Sequence, residues 1–308
     1  MYKGSGVHHV GMGVRDYERM TSFYGETLAF KKVFAEFPEE EQEMNEVFRM
    51  PHVKFKGIMF QQKAGGVVLE LIRMTNPVPK PIRRETRYGD IGVAKITISV
   101  SDVETFYSEM RERINFCAVP KSTTVPGGAD YHFLYAKDPE GNFIEFVSSP
   151  KTEMQNGFGG TLWIGVSVSD LDRSMSFYQQ YLGFDSVVLS PHDSFSGLVD
   201  EISHGDRTEV RSCLLSNSKG GEKLELFEVQ NPRGRSIPFS SYWGDFGYLE
   251  VALLCSDIHE MGKYFEEKGI EFVARPTLAL DEPDFEGWYL YLRDPDGILV
   301  EVISMISK

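Results

Sequence analysis

The sequence predicts an α+β protein made of four βαβββ modules, and three observations predict it. First, the chain repeats itself. "GGVVLELIRMTNP" (Gly65 to Pro77) returns as "GGEKLELFEVQNP" (Gly220 to Pro232), and "GDIGVAKITISVSD" (Gly89 to Asp102) returns as "GDFGYLEVALLCSD" (Gly244 to Asp257), both at an offset of 155. "SFYGETLAF" (Ser22 to Phe30) returns as "SFYQQYLGF" at 154, and the Asp-Pro pairs of "AKDPEGNFIEFVSSP" and "RDPDGILVEVISMIS" lie 156 apart. Second, a strand-like alternation ends in a helix-capping aspartate four times, at Asp16, Asp102, Asp170 and Asp257, and helical spacing follows each. Third, strand-like runs follow each helix, among them "VKFKGIMFQQ", "VVLELIRM", "YHFLYAK" and "NFIEFVSS", with "DPEG" and "DPDG" as tight turns between the last two. Nearly constant offsets mean a duplicated domain with few insertions. The expected domains are residues 1–150 and 158–308, joined through the polar segment 148–160.

The elements then follow in order. In "VHHVGMGVRD", Val10, Met12 and Val14 form an apolar stripe suited to packing under a helix. His9, Gly11 and Gly13 share the opposite face, and strict alternation sends His8 to the helix side. Phe23 and Tyr24 fall on the first helix and read as core. The segment "FPEEEQEMNEVFRMPH" (Phe37 to His52) reads either as a lid, with Phe48 and His52 facing a substrate, or as an exposed helix. In "VVLELIRM", Leu69 and Leu71 face the core and Glu70 faces away; in "NFIEFVSS", Ile144 and Phe146 face the core and Glu145 faces away. "PKPIRRETRYGD" (Pro79 to Asp90) is a basic loop in an acidic chain. It reads as a solvated linker or as a source of Arg83, Arg84 and Arg87 for an anionic group.

At 308 residues, with 41% hydrophobic and 25% charged residues, the chain can bury a core in each of two domains. A formal charge of −14 argues against nucleic acid or an acidic membrane as partner, since either needs a basic footprint. No apolar run approaches spanning length, and "MYKGSGVHHV" lacks the pattern of a secretory signal. Cys117, Cys213 and Cys255 fit no zinc spacing, so the expectation is reduced thiols in a cytoplasmic protein. No phosphate-cradling glycine loop, nucleophile elbow or dinucleotide fingerprint is present.

Four βαβββ units, "HVGMGVRD" feeding a helix that contains "FY", and "KDPEGNFIE" near the end of a domain together resemble the vicinal oxygen chelate superfamily. That group includes glyoxalase I, methylmalonyl-CoA epimerase, fosfomycin-resistance proteins and extradiol dioxygenases. The resemblance covers essentially the whole chain and implies two cup-shaped, glyoxalase-like domains of paired modules. It makes the position seven residues before the capping aspartate the first metal-ligand position, which is His9, and matches Glu70 and Glu145 to carboxylate ligand positions. The fourth position is Lys95, where many relatives carry histidine; a protonated lysine has no lone pair to give a cation. The expected site is therefore in the first half: His9, Glu70 and Glu145 around one divalent transition metal (Zn, Mn, Fe, Co or Ni), with open positions for substrate. The expected catalytic base is Lys95 or a carboxylate of the site, with Lys95 preferred. The alternative sets Lys95 between Glu70 and Glu145 as a salt bridge in place of a metal.

The second half carries Trp163, Glu225, Glu250 and Glu301 at the same four places. Glu225, Glu250 and Glu301 make a candidate second site for a hard cation. The other reading is a degenerate copy that Trp163 fills and Lys223 or Arg211 neutralises. His132, Trp163 and Arg84 are candidate substrate contacts. The reading is a metal-dependent isomerase, epimerase or lyase of glyoxalase type, monomeric or homodimeric, that removes a proton next to a carbonyl of a small oxygenated substrate. A metal-free small-molecule-binding protein of bleomycin-resistance type is the alternative. An extradiol dioxygenase is least favoured, because the resemblance places its two-histidine iron site where this chain has Trp163, Glu250 and Glu301.

Overall fold

A computed structural model of the chain describes residues 4–43, 47–48, 52–148, 154–155 and 157–308. The first module comprises β1 (Gly4–Gly13), α1 (Tyr17–Ser22) running into a π turn at Phe23–Thr27, β2 (Phe30–Glu43), β3 (His52–Gln62) and β4 (Val68–Asn76). The second comprises β5 (Gly92–Val100), α2 (Val103–Met110), the short β6 (Asn115–Phe116) and β7 (Lys121–Val125), β8 (Ala129–Lys137) and β9 (Phe143–Ser148). The third has β10 (Phe158–Ser167), α3 (Leu171–Leu182), β11 (Ser186–His192), a single turn α4 (Asp200–Ser203), β12 (Glu209–Ser216) and β13 (Lys223–Gln230). The fourth has β14 (Gly247–Cys255), α5 (Ile258–Glu267), β15 (Phe272–Asp281), β16 (Phe285–Arg293) and β17 (Leu299–Ser307).

Each capping aspartate does what its position requires. Asp16, Asp102, Asp170 and Asp257 accept hydrogen bonds from the backbone amides of Arg19, Thr105, Arg173 and Glu260 at 2.8–3.1 Å, satisfying donors that a helix start leaves unpaired. The apolar stripes lie where alternation placed them: Val10, Met12, Val14, Leu69, Leu71, Ile144 and Phe146 are buried in the layer between sheets and helices. As far as it is described, the segment 37–52 is not an exposed helix: Phe48 is buried against Trp243, as the lid reading has it, while His52 points to solvent. β2 carries on to Glu43 and an exposed His52 opens β3, while residues 44–46 and 49–51 lie outside the described residues.

The sheets do not follow the halves of the sequence. One runs β15-β16-β17-β14-β1-β4-β3-β2, joining the fourth module to the first. The other runs β11-β12-β13-β10-β5-β9-β8-β6, with β7 on β8, joining the third to the second. The seams are the antiparallel pairs β1–β14 and β10–β5. Within each half, a tyrosine of the repeated "FY" spans the two modules. Tyr24 donates to Asp138 at 3.0 Å and Tyr178 to Asp294 at 3.3 Å, both aspartates belonging to the Asp-Pro turns. Backbone amides of Glu140, Asn142, Asp296 and Ile298 also donate to these carboxylates at 2.9 Å. Burial nevertheless pushes Asp138 up to about 6 and Asp294 up to about 7.

Candidate metal centre

This pairing redistributes the expected site residues. His9 and Glu70 meet Glu250 and Glu301, brought by β14 and β17 from the far end of the chain. Glu145 is not with them. It faces the other cup together with Lys95, Glu225 and Trp163. The set His9, Glu70 and Glu145 is therefore corrected to His9, Glu70, Glu250 and Glu301, and the acidic set Glu225, Glu250 and Glu301 is split between cups. Periodicity identified the inward faces; it carries no information on which long-range seam forms.

In the first cup, His9 Nε2 lies 3.0 Å from Glu301 Oε2 and 3.8 Å from Glu70 Oε2. One donor atom each from His9, Glu250 and Glu301 falls within a 4.8 Å group. All four side chains are buried. Gly11 makes the room: a Cβ there would meet Glu250 Oε1 at 2.1 Å. Trp243 Nε1 donates to Glu250 Oε1 at 3.1 Å, while the other oxygen of Glu250 is buried with no hydrogen-bond partner among the described residues. Burial, then the charges of Glu301 and Glu70, push the Glu250 carboxyl far up. Burial also pushes Glu70 up to about 7, with His9 opposing and Glu301 adding to the rise. Burial works to lower His9, but the hydrogen bond and charge of Glu301, with Glu70, more than offset it. Three carboxyl groups and one imidazole, with an orphaned oxygen and no lysine or arginine paired to them among the described residues, form a donor set that a divalent cation fits.

The second cup supplies its own charge. Lys95 Nζ lies 2.7 Å from Glu145 Oε2, 2.8 Å from Glu225 Oε2 and 3.2 Å from the Tyr135 hydroxyl. Thr97 and Tyr135 donate to Glu145 at 2.8 Å, Ser212 to Glu225 at 3.0 Å and Trp163 Nε1 to Glu225 at 3.3 Å. Every carboxylate oxygen there has a partner. Burial alone would lower Lys95, but Glu145, Glu225 and then Tyr88 raise it far above the usual lysine range. Lys95 is thus held between two carboxylates and stands apart from His9 and Glu70, so the expected base and the expected ligands are not brought together. The neutralising cation is Lys95 rather than Lys223 or Arg211; Arg211 pairs with Asp172 at 3.2 Å. The space above is filled by Tyr88 stacked on Phe227, with Phe133, Phe195, Val199 and Ile202.

The remaining candidates lie elsewhere. His132 is exposed on β8, on the face opposite Tyr131, Phe133 and Tyr135, and touches neither cup. Arg84 lies with Arg15 and Lys137 beside a cleft of about 170 Å³ away from the four-residue cluster. Arg83 is spent on the Ile91 and Arg235 carbonyls, at 3.0 and 2.8 Å. Residues missed on sequence are Trp243 and Tyr291, which wall the first cup with Phe55 and Phe48. The repeat offset held the signal, since they align with Tyr88 and Tyr135. His8 is not on the helix side. Val7 pairs with Leu253 and His9 with Ala252, so His8 is the extra residue of a β-bulge, and its Nδ1 lies 2.9 Å from His9 Nδ1. Burial and then His9 lower the His8 imidazole to about 3.

The Glyoxalase/Bleomycin resistance protein/Dioxygenase superfamily matches residues 6–146 and again residues 160–302. The chain belongs to that superfamily. Among superfamily proteins, glyoxalase I of Saccharomyces cerevisiae is 24% identical over 325 residues, covering 96% of this chain and 91% of that protein. A Synechocystis protein named "Probable lactoylglutathione lyase" is 24% identical over 145 residues, covering 46% of this chain and 93% of its own. The solved structure of glyoxalase I from Zea mays superposes with a TM-score of 0.62 at 18% identity, covering 98% of this chain and 93% of the maize chain. At that identity the likeness establishes the fold alone. No helix among the described residues is long and apolar enough to cross a membrane.

Proposed function

We propose that this protein is a divalent-metal-dependent lyase or isomerase of glyoxalase type whose working centre is the first cup. The observation that carries the reading is the convergence of His9, Glu250 and Glu301 around a buried carboxylate oxygen that, among the described residues, has no partner and no lysine or arginine to balance it. These three would hold the cation. A divalent ion in such a set acts as a Lewis acid on a substrate carbonyl oxygen. Glu70 lies outside the tight group, 3.8 Å from His9, and is the carboxylate free to take a proton from the neighbouring carbon. Trp243, Phe55 and Tyr291 keep water from the reacting face. The name of the Synechocystis relative makes lactoylglutathione the first compound to test.

The test is metal content after loading with Zn²⁺ or Ni²⁺ and desalting, followed by NMR of lactoylglutathione in deuterated water. About one ion per chain is expected, lost in His9→Ala and Glu301→Gln. Deuterium should enter the lactoyl carbon next to the carbonyl in the loaded wild type, at a rate reduced by at least about a hundredfold in Glu70→Gln. A wild type that retains no ion overturns the metal reading. Equal exchange in Glu70→Gln removes Glu70 as the base.

A further inference from the structure

Two imidazole nitrogens 2.9 Å apart share one proton: one donates it and the other accepts. His9 presents Nε2 to the carboxylate cluster, so Nδ1 is the nitrogen turned toward His8. When Nε2 gives its lone pair to a cation, the ring proton of a neutral His9 must sit on Nδ1, and that N–H needs an acceptor in this buried setting. His8 Nδ1 is at hydrogen-bond distance from it.

We propose that His8 is a positioning residue for the metal centre: carried on the β1 bulge, it accepts from His9 Nδ1 and so fixes both the ring orientation and the tautomer that leave Nε2 free. The inference rests on the metal reading of the first cup.

The other half of the molecule supplies an internal control. β10 makes the same bulge against β5, since Thr161 pairs with Ile98 and Trp163 with Thr97. Its extra residue is Leu162, which packs beside Trp163 against the aromatic filling of the second cup. The bulge therefore forms with an apolar residue in it. What is particular to the first cup is an imidazole at the bulge next to an imidazole in the ligand set. A bulge beside a functional side chain is a common way to re-aim a neighbour, and here it lets two adjacent strand residues touch.

The experiment compares wild type with His8→Leu and His8→Asn, using Zn²⁺ alone as probe in competition with a chromophoric chelator. Nitrogen-15 NMR of the histidine side chains is recorded on the loaded proteins. His8→Leu should weaken Zn²⁺ binding by about tenfold to a hundredfold while the metal-free protein melts where wild type does. His8→Asn, whose side-chain oxygen can accept the same N–H, should recover most of the loss. The spectra of wild type should show His9 protonated at Nδ1 and His8 unprotonated at Nδ1. Unchanged Zn²⁺ affinity in His8→Leu, or His9 protonated at Nε2 in the loaded wild type, overturns the assignment while leaving the metal centre standing. Failure of wild type itself to bind Zn²⁺ overturns both.

Discussion

The two cups stand on one plan and differ in where their positive charge comes from. His9 aligns with Trp163, Glu70 with Glu225, Glu250 with Lys95 and Glu301 with Glu145. In the second cup one lysine satisfies two carboxylates within 2.8 Å, and aromatic side chains close the space above it. In the first cup the same place is held by Glu250, a carboxyl in place of an ammonium, one of whose oxygens has no hydrogen-bond partner among the described residues. Two exchanges, Lys95 for Glu250 and Trp163 for His9, thus separate a finished salt-bridge network from the candidate metal centre. Burying charges is costly unless they are paired: the second cup pairs its acids with Lys95, and the cation proposed for the first would do the same there.

The comparison can be broken most completely by copying one cup into the other. Glu250→Lys should place an ammonium among Glu70, Glu301 and His9, as Lys95 sits among its own acids. Bound metal should fall from about one ion per chain to none, measured by elemental analysis, with a native circular dichroism spectrum. If Glu250→Lys still retains an ion, the exchange of charge is not what distinguishes the cups.

The converse change should be next in size. Lys95→Met strips the cation from Glu145 and Glu225, and leaving buried carboxylates unpaired costs about 3–5 kcal/mol. Denaturant melts should show that loss, and Lys95→Met combined with Glu145→Gln and Glu225→Gln should recover much of it. A Lys95→Met protein as stable as wild type would mean the network contributes nothing.

Smaller effects are expected at the glycines that make room for the two fourth residues. A Cβ at Gly165 would meet Lys95 Cε at 2.6 Å and Cγ at 2.7 Å, so Gly165→Ala should cost roughly 1–3 kcal/mol as an overpacked core. Gly11→Ala presses instead on Glu250 and should show in metal affinity as well as in stability. Equal metal affinity for Gly11→Ala and wild type would separate Glu250 from the ligand set.

The last prediction concerns a feature that both halves share. Asp138 and Asp294 have folded-state values near 6 and 7, above the ordinary aspartate value of 3.8. The folded protein therefore holds more protons than the unfolded chain between those limits, and stability falls as pH rises from about 4 to 7. Asp138→Asn and Asp294→Asn should each flatten that slope in denaturant melts across this range. A slope unchanged in the double variant would assign the dependence to other groups.

Much of this was legible before any coordinates. The offsets of 154 to 156 mark the modules, and alternation in "VVLELIRM" and "NFIEFVSS" turns Glu70 and Glu145 inward. The partnership of Glu70 was not legible. β1 can be extended by any strand of matching pattern, and β5 and β14 carry nearly the same one, so the choice is made by three-dimensional packing. The bulge at His8 escaped for a similar reason. One extra residue in a strand leaves no mark in composition, and a strict period of two sends His8 to the wrong face. Lys95 was legible as a break in the ligand pattern, but its role depended on which acids arrived beside it.

The seams β1–β14 and β10–β5 have a consequence for how such a chain can specialise. Neither repeat owns a cup: each contributes one wall to both. His9 from the first copy is matched to Glu250 from the second, and Trp163 from the second to Lys95 from the first. A gene with two identical repeats would encode two identical cups, and a change confined to one copy alters half of a cup. A change at one position in one copy therefore reaches a single cup, and rebuilding both walls of a cup takes changes in both copies at different positions. The histidine stands in one repeat, and Glu250 and Glu301, which meet it, stand in the other.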